Sequence, residues 1–259
     1  MPDSDDSVRA SELQVFSRPV QVSLTDSPRV SGTSQAGTPG PSYGLPGDGI
    51  CAEIAAFRSV SVTPRGRGAR IGFARRRNTP VNVDVFQQSR GGRVTPNRRV
   101  RSFPARTRSF TWNGRGRGGK RLPSGRYAVR FRVPRGASRL DIRHVALSRS
   151  RARFRRRAPF SATGSCGLLN VYRLSGSTFG ARRRPLAVLF RVRRRSTVGV
   201  TVRRGRQTVR RLRARSFAPG RPVRLRIPSR RLRRGDHRVT ITVRSGTERV
   251  TRTLTSRRL

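Results

Sequence analysis

"SFTWNGRGRGGKRLPSGRYAVRFRV", residues 109–133, holds a strand pattern, a glycine-rich crossing and a second strand pattern. Tyr127, Val129, Phe131 and Val133 alternate with Ala128, Arg130 and Arg132. A period of two marks a strand with one buried face. The glycine run between the patterns raises a different possibility, a phosphate cradle. Such a cradle must open a helix, so that backbone N–H groups and the helix terminus face the anion. Here a strand pattern follows instead, and no Ser or Thr stands directly after Lys120 to hold magnesium. One "GRGRGG" also resembles segments that bind RNA without fixed structure, but a single copy between two strands is a weak match. The run reads best as a long hairpin-like loop joining two strands of a β-sandwich.

The same alternation recurs along the chain. It appears at 57–62, 69–74, 81–87, 98–103, 108–113, 126–133 and 139–147, and again at 168–174, 186–192, 197–203, 207–212, 222–228, 237–243 and 247–254. Short runs at this spacing, separated by turn residues, predict an all-β sandwich. The two sets are related. "ARIGFARRRNTPVNVDV" (69–85) lies over "LAVLFRVRRRSTVGVTV" (186–202) at an offset of 117, and "RLPSGRYAVRFRV" (121–133) over "RLRRGDHRVTITV" (231–243) at 110. Phe110 and Trp112 then correspond to Leu225 and Ile227. An internal repeat sets the architecture: two tandem Ig-like antiparallel β-sandwiches, over 51–147 and 166–259. A basic stretch, 148–165, reads as the linker between them. Residues 1–50 read as a disordered segment rich in Ser, Thr, Pro and Gly, with one orphan strand pattern at 13–24.

Trp112-Asn113-Gly114, a glycine-rich spacer, then Leu122-Pro123-Ser124-Gly125 and Tyr127 resemble the signature of FlgD-like immunoglobulin-like domains. These modules occur in flagellar hook-capping proteins and as C-terminal appendages of bacterial secreted proteins. The signature is intact in the first repeat and degenerate in the second, where the Trp and the Asn-Gly are gone. The resemblance implies a non-catalytic spacer, adhesion or docking module. The residues themselves suit structural roles: Phe110 and Trp112 in the core, Asn113-Gly114 in a tight turn, Gly125 where the chain turns into the strand that carries Tyr127.

Charge narrows the partners. The net charge is +50, from 61 basic and 11 acidic residues, and Lys120 is the one lysine. Seven acidic residues and three arginines fall within 1–55, so the remainder carries 58 basic and four acidic groups. So dense a charge favours polyanions: an anionic cell-wall polymer, an acidic polysaccharide, or nucleic acid. A nucleic-acid binder ordinarily mixes lysine with arginine, and near-pure arginine matches the codon usage of a GC-rich bacterium. Aromatic residues Phe73, Phe110, Trp112 and Phe131 fall on inward phases, whereas base stacking needs them outside. Outward arginines such as Arg130, Arg132, Arg224 and Arg226 read as a solvated face that blunts edge pairing.

No apolar run is long enough for a transmembrane helix, and the chain opens without a signal-peptide pattern. As written it reads as cytoplasmic. A start that falls inside a longer frame, with a missing upstream domain, makes it secreted or cell-surface, and the orphan strand fits that reading. Catalytic chemistry is sparse. His144 and His237 sit in separate repeats, expected as partly exposed and shielded by arginine, without metal-ligand spacing. Asp84, Asp141, Asp236 and Glu248 are scattered one per strand or turn, expected as charge relief among arginines. No catalytic, cofactor or metal residues are assigned, and the chain is not expected to be an enzyme. Cys51 precedes Phe57 by six residues, as Cys166 precedes Tyr172, so the two occupy matching places. A disulfide between them would enclose 114 residues. End-to-end sandwiches would hold the cysteines too far apart and side-by-side packing would not, so disulfide and free thiols both stay open.

Overall fold

The computed structural model describes residues 56–134, 140–163, 167–180 and 184–259. The segment 1–50, its strand pattern at 13–24, and both cysteines lie outside the described residues. The fold is all-β, with antiparallel sheets packed as β-sandwiches.

The first half contributes β1 (Phe57–Arg65), β2 (Gly68–Arg75), β3 (Val81–Arg90), β4 (Arg93–Arg106), β5 (Phe110–Trp112), β6 (Gly125–Pro134), β7 (Leu140–Ser150) and β8 (Arg153–Arg156). One sheet runs β1-β2-β5 and the other β4-β3-β6-β7-β8. Period-two alternation decides which side chains meet between them. Val81, Val83 and Val85 of β3 and Tyr127, Val129, Phe131 and Val133 of β6 are fully buried, facing Val62, Ala69, Ile71 and Trp112. Each large apolar side chain buried in this way contributes roughly 1.5–3 kcal/mol. β4 is an edge strand, and its arginines and Pro96 block further pairing.

The second half contributes β9 (Ser161–Thr163), β10 (Leu169–Leu174), β11 (Thr178–Phe179), β12 (Leu186–Val192), β13 (Ser196–Arg204), β14 (Gln207–Phe217), β15 (Val223–Ile227), β16 (Gly235–Ser245) and β17 (Glu248–Arg258). Its sheets run β15-β12-β10-β9 and β11-β17-β16-β13-β14. Strand order and register therefore recur. Trp112 pairs with Ala69 and Phe110 with Ile71, as Ile227 pairs with Leu186 and Leu225 with Val188. The bulges recur as well. The β3–β4 ladder slips between Val81 and Val83 and between Val85 and Phe86; the β13–β14 ladder slips between Val198 and Val200 and between Val202 and Arg203.

Four expectations need correction. The stretch 148–165 is not a linker: β7 runs on to Ser150, β8 extends that sheet, and β9 joins the next one. A four-residue strand with one apolar residue, Phe154, has no readable period. The glycine run is not a hairpin loop, because β5 and β6 lie in different sheets. It crosses between them through a short 3-10 turn, Arg117–Gly119, and the second half crosses at the corresponding place through Ser229–Arg231. Phe57 does not correspond to Tyr172. Phe57 pairs with Arg75 and Leu169 with Val192, so Phe57 matches Leu169, 112 residues on. Finally, Arg130 and Arg132 are not a solvated face, for the reason given below.

The outward face of the β3-β6-β7 sheet meets the second half directly. Ala128 and Ala146 are buried in one cluster with Phe160, Leu174 and Leu186. Gln88 Oε1 accepts hydrogen bonds from the backbone N–H of Ser177 at 3.0 Å and its hydroxyl at 2.5 Å, and the Thr178 hydroxyl donates to the Gln88 carbonyl at 3.3 Å. Arg184 donates to the Thr95 carbonyl at 2.7 Å. Buried hydrogen bonds of this kind fix one arrangement, because breaking either partner leaves a polar group unsatisfied. By register the second half carries Arg238, exposed, where the first has Ala128, so this joint is written into one face only.

Candidate functional site

The residues singled out in the sequence cluster around the crossing loop. Trp112 is buried, its indole Nε1 donating to the Arg115 carbonyl at 2.8 Å, with Phe154 at 5.0 Å between ring centroids. Phe110 is half-buried against Phe103 at 4.7 Å. Asn113 Oδ1 accepts the backbone N–H of Arg115 at 3.0 Å and closes the turn. Gly114 has φ +76°, and a Cβ there would stand 2.0 Å from the Arg67 carbonyl oxygen. Gly125 has φ +155°, and its Cβ would stand 2.1 Å from the Ser89 carbonyl oxygen. Only glycine fits either place. The Tyr127 hydroxyl donates to the Pro123 carbonyl at 2.6 Å, and burial pushes its pKa up to about 12. One structural partner was not read from the sequence. Arg149, buried beneath the loop, donates to the Gly114 carbonyl at 2.8 Å and stacks 5.0 Å from the Phe154 ring centroid. It fell in the stretch taken for a linker. The loop's glycines thus support a packed corner.

A second cluster lies on the outward face of the β3-β6-β7 sheet. Asp84 is completely buried. It accepts a hydrogen bond from the Ser102 hydroxyl at 2.8 Å and pairs with Arg132 at 3.0 Å, Arg130 at 3.2 Å and, more loosely, Arg99 at 3.9 Å. Arg130 also lies over the Phe86 ring at 4.5 Å. This charged knot turns Arg130 and Arg132 away from bulk water. The second half has threonines in the same register: Thr240 and Thr253 hydroxyls meet at 2.9 Å on β16 and β17. One register thus carries two polar chemistries.

Beside the knot, a cleft opens between the two halves. On one side, Phe86, Ala128 and Ala146 form one row across β3, β6 and β7, and Asp84, Arg130 and His144 the next. On the other, Arg173, Leu189 and Arg224 form a row across β10, β12 and β15. Between them lies a cavity of about 270 Å³, and a neighbouring one of about 260 Å³ shares Gln88, Asn97, Ser175 and Arg224 with it. Among the described residues no carboxylate lines either.

His144 is half-buried beside Arg173 and Arg130, as expected, whereas His237 is more enclosed than expected. His237 is fully buried, its Nδ1 3.1 Å from the Gly235 carbonyl and its ring edge-on to Phe179; burial lowers its pKa. His144 packs on Phe160, and its Nδ1 is shielded with no protein partner. Burial, then the charges of Arg173 and Arg130, lower its pKa to about 4. A depressed histidine pKa means that the unfolded chain binds the extra proton first. Stability is therefore full above the unfolded value of roughly 6.5 and falls as pH drops towards 4. His144→Phe should shrink the difference in melting temperature between pH 7 and pH 4.5; an undiminished difference would refute the assignment.

The remaining carboxylates are held by arginine. Asp141 accepts the backbone N–H groups of Ala56 and Phe57 at 3.0 and 3.2 Å and pairs with Arg143 at 2.8 Å, pinning the start of β1. Asp236 lies 3.2 Å from Arg257 and 4.0 Å from Arg126, and Glu248 lies 3.9 Å from Arg194. Among the described residues no three His, Cys, Asp or Glu side chains converge as metal ligands, and no helix is long and apolar enough to cross a membrane.

No family model and no curated protein matches this chain. Among solved structures the chain is similar to one titled "Biofilm associated protein - BSP domain", with 10% identity and a TM-score of 0.24 over 78% of this chain. The similarity spans 30% of that structure's own length.

Proposed function

We propose that this chain is a non-catalytic docking module of a bacterial secreted or cell-surface protein, built from two FlgD-like sandwiches and directed at an anionic polymer. One observation carries the reading. Each of the four side-chain carboxylates among the described residues is engaged by arginine, and both histidines have lowered pKa values. General acid–base chemistry needs a titratable group poised near the working pH and within reach of substrate. The two buried carboxylates, Asp84 and Asp141, are committed to holding strands together. What remains for a partner is arginine, most of it outward-facing. Antibody against this chain should label intact cells of the source organism as strongly as permeabilised ones. Labelling that appears only after permeabilisation would remove the surface reading.

One feature favours a second reading, a cytoplasmic protein that binds nucleic acid or another polyanion. The edge strands β4 and β14 display Arg98, Arg99, Arg106, Arg210, Arg211, Arg213 and Arg215 to solvent. Against it, Trp112 and Phe131 are buried and Phe73 packs edge-on to Phe131, which leaves few rings for stacking. If several phosphates were engaged, affinity for single-stranded DNA would fall by orders of magnitude between about 50 and 200 mM salt. Fluorescence anisotropy at several salt concentrations measures this directly.

A further inference from the structure

We infer that the cleft between the two halves binds a carboxylate-bearing sugar unit of an acidic polysaccharide. The inference deepens the docking reading by naming a site and a ligand class. Arg173 and Arg224 flank Leu189 in one row, two strands apart, with no acidic side chain among the described residues lining the cavity they face. Burial and the neighbouring charge of Arg224 hold the Arg173 guanidinium below its ordinary pKa. A carboxylate entering there relieves repulsion between like charges and accepts paired N–H donors, which is the geometry arginine serves best. Opposite, Arg130 is paired through one Nη with Asp84 but keeps an Nε with no protein partner.

The neutral lining points to a sugar. Asn97 and Ser175, both exposed, line both cavities, and they supply the amide and hydroxyl groups that a ring with several hydroxyls requires. Leu189 offers apolar surface for a ring face. The two cavities together fall within the ordinary range of small-ligand sites, roughly 300–1,000 Å³. A nucleobase fits less well. The Phe86 ring is already covered by Arg130, and Phe160 is buried against His144, so neither offers an open face for stacking.

The test is isothermal titration calorimetry of the full chain with trigalacturonate, at about 0.15 M salt to screen loose surface attraction. Saturable binding with one molecule per chain is expected, and the methyl-esterified trisaccharide, which has lost its charges, should not bind. Arg173→Gln together with Arg224→Gln should weaken binding by roughly tenfold or more, as loss of charge-assisted pairs does. Arg210→Gln with Arg213→Gln, on the edge strand β14 and outside the lining of either cavity, should leave it unchanged. Far-UV circular dichroism checks that each variant folds, and the comparison of acid with ester on the unaltered chain stands even if one does not. The inference is overturned by absence of binding, by equal binding of the ester, or by equal loss in the β14 variant. It is also overturned if single-stranded DNA or a glycerol-phosphate polymer, but not the uronate, occupies the cleft. Cell-surface labelling is read independently, so failure of this site and failure of the surface reading are separable.

Discussion

Asp84→Ala should be among the most destabilising single substitutions in the chain, lowering stability by about 3–5 kcal/mol. The carboxylate is fully buried, and Arg130 and Arg132 approach it within 3.2 Å while their side chains remain 22% and 31% exposed. Removing it leaves like charges side by side on a packed face, with the Ser102 hydroxyl unpartnered. Because the two arginines can swing partly towards water, the loss should fall near the lower end of that range. Asp236→Ala makes the contrast. That carboxylate is 55% exposed, and surface pairs contribute about 0–1 kcal/mol. Urea denaturation followed by far-UV circular dichroism reads both halves, the one holding Asp84 and the one holding Asp236. Equal midpoints for the two variants would sink the idea that the knot stabilises the sheet.

Trp112→Ala should cost a similar or larger amount, about 3–5 kcal/mol. Its ring fills the space between the two sheets against Phe154, and its indole nitrogen holds the carbonyl of Arg115 at the start of the glycine crossing. The substitution therefore opens a cavity and releases one end of the loop together. Against total stabilities of about 5–15 kcal/mol, a loss of this size removes a large fraction of the whole. Ile227→Ala, at the corresponding place in the second half, removes a smaller side chain with no polar group and should cost less. Far-UV circular dichroism during urea denaturation reads both variants. A loss below about 1 kcal/mol for Trp112→Ala would mean that the site collapses to fill the gap.

The strands of the cores were legible because a half-buried strand writes its burial into alternate residues. Val81, Val83 and Val85 and their counterparts Val198, Val200 and Val202 are all buried. The offsets of 117 and 110 in the sequence equal the offsets between paired residues in the sheets, since deletion within the middle of a repeat changes loop length without changing register. Short strands escaped notice. Arg153–Arg156 and Thr178–Phe179 are held by neighbours and carry too few apolar residues to show a period.

The candidate site was not legible as a site. Alternation says that Phe86, Arg130 and His144 point away from their own core, and an outward position defaults to solvent. Only docking of the second half on that face makes it an interior, and the sign of the change is small side chains at Ala128 and Ala146 and a buried Gln88. Gln88 lies on the same strand as the core valines and carries no local mark of its partner, Ser177, which stands 89 residues away. The amino-acid sequence by itself determined the strands, their inward faces and the repeat, because those depend on neighbours two residues apart or on a fixed register. The tertiary structure alone decided that three arginines of two strands, β4 and β6, share one buried carboxylate of β3, and that an outer face becomes a basic cleft. Both depend on contacts between residues remote in the chain, which local periodicity does not encode.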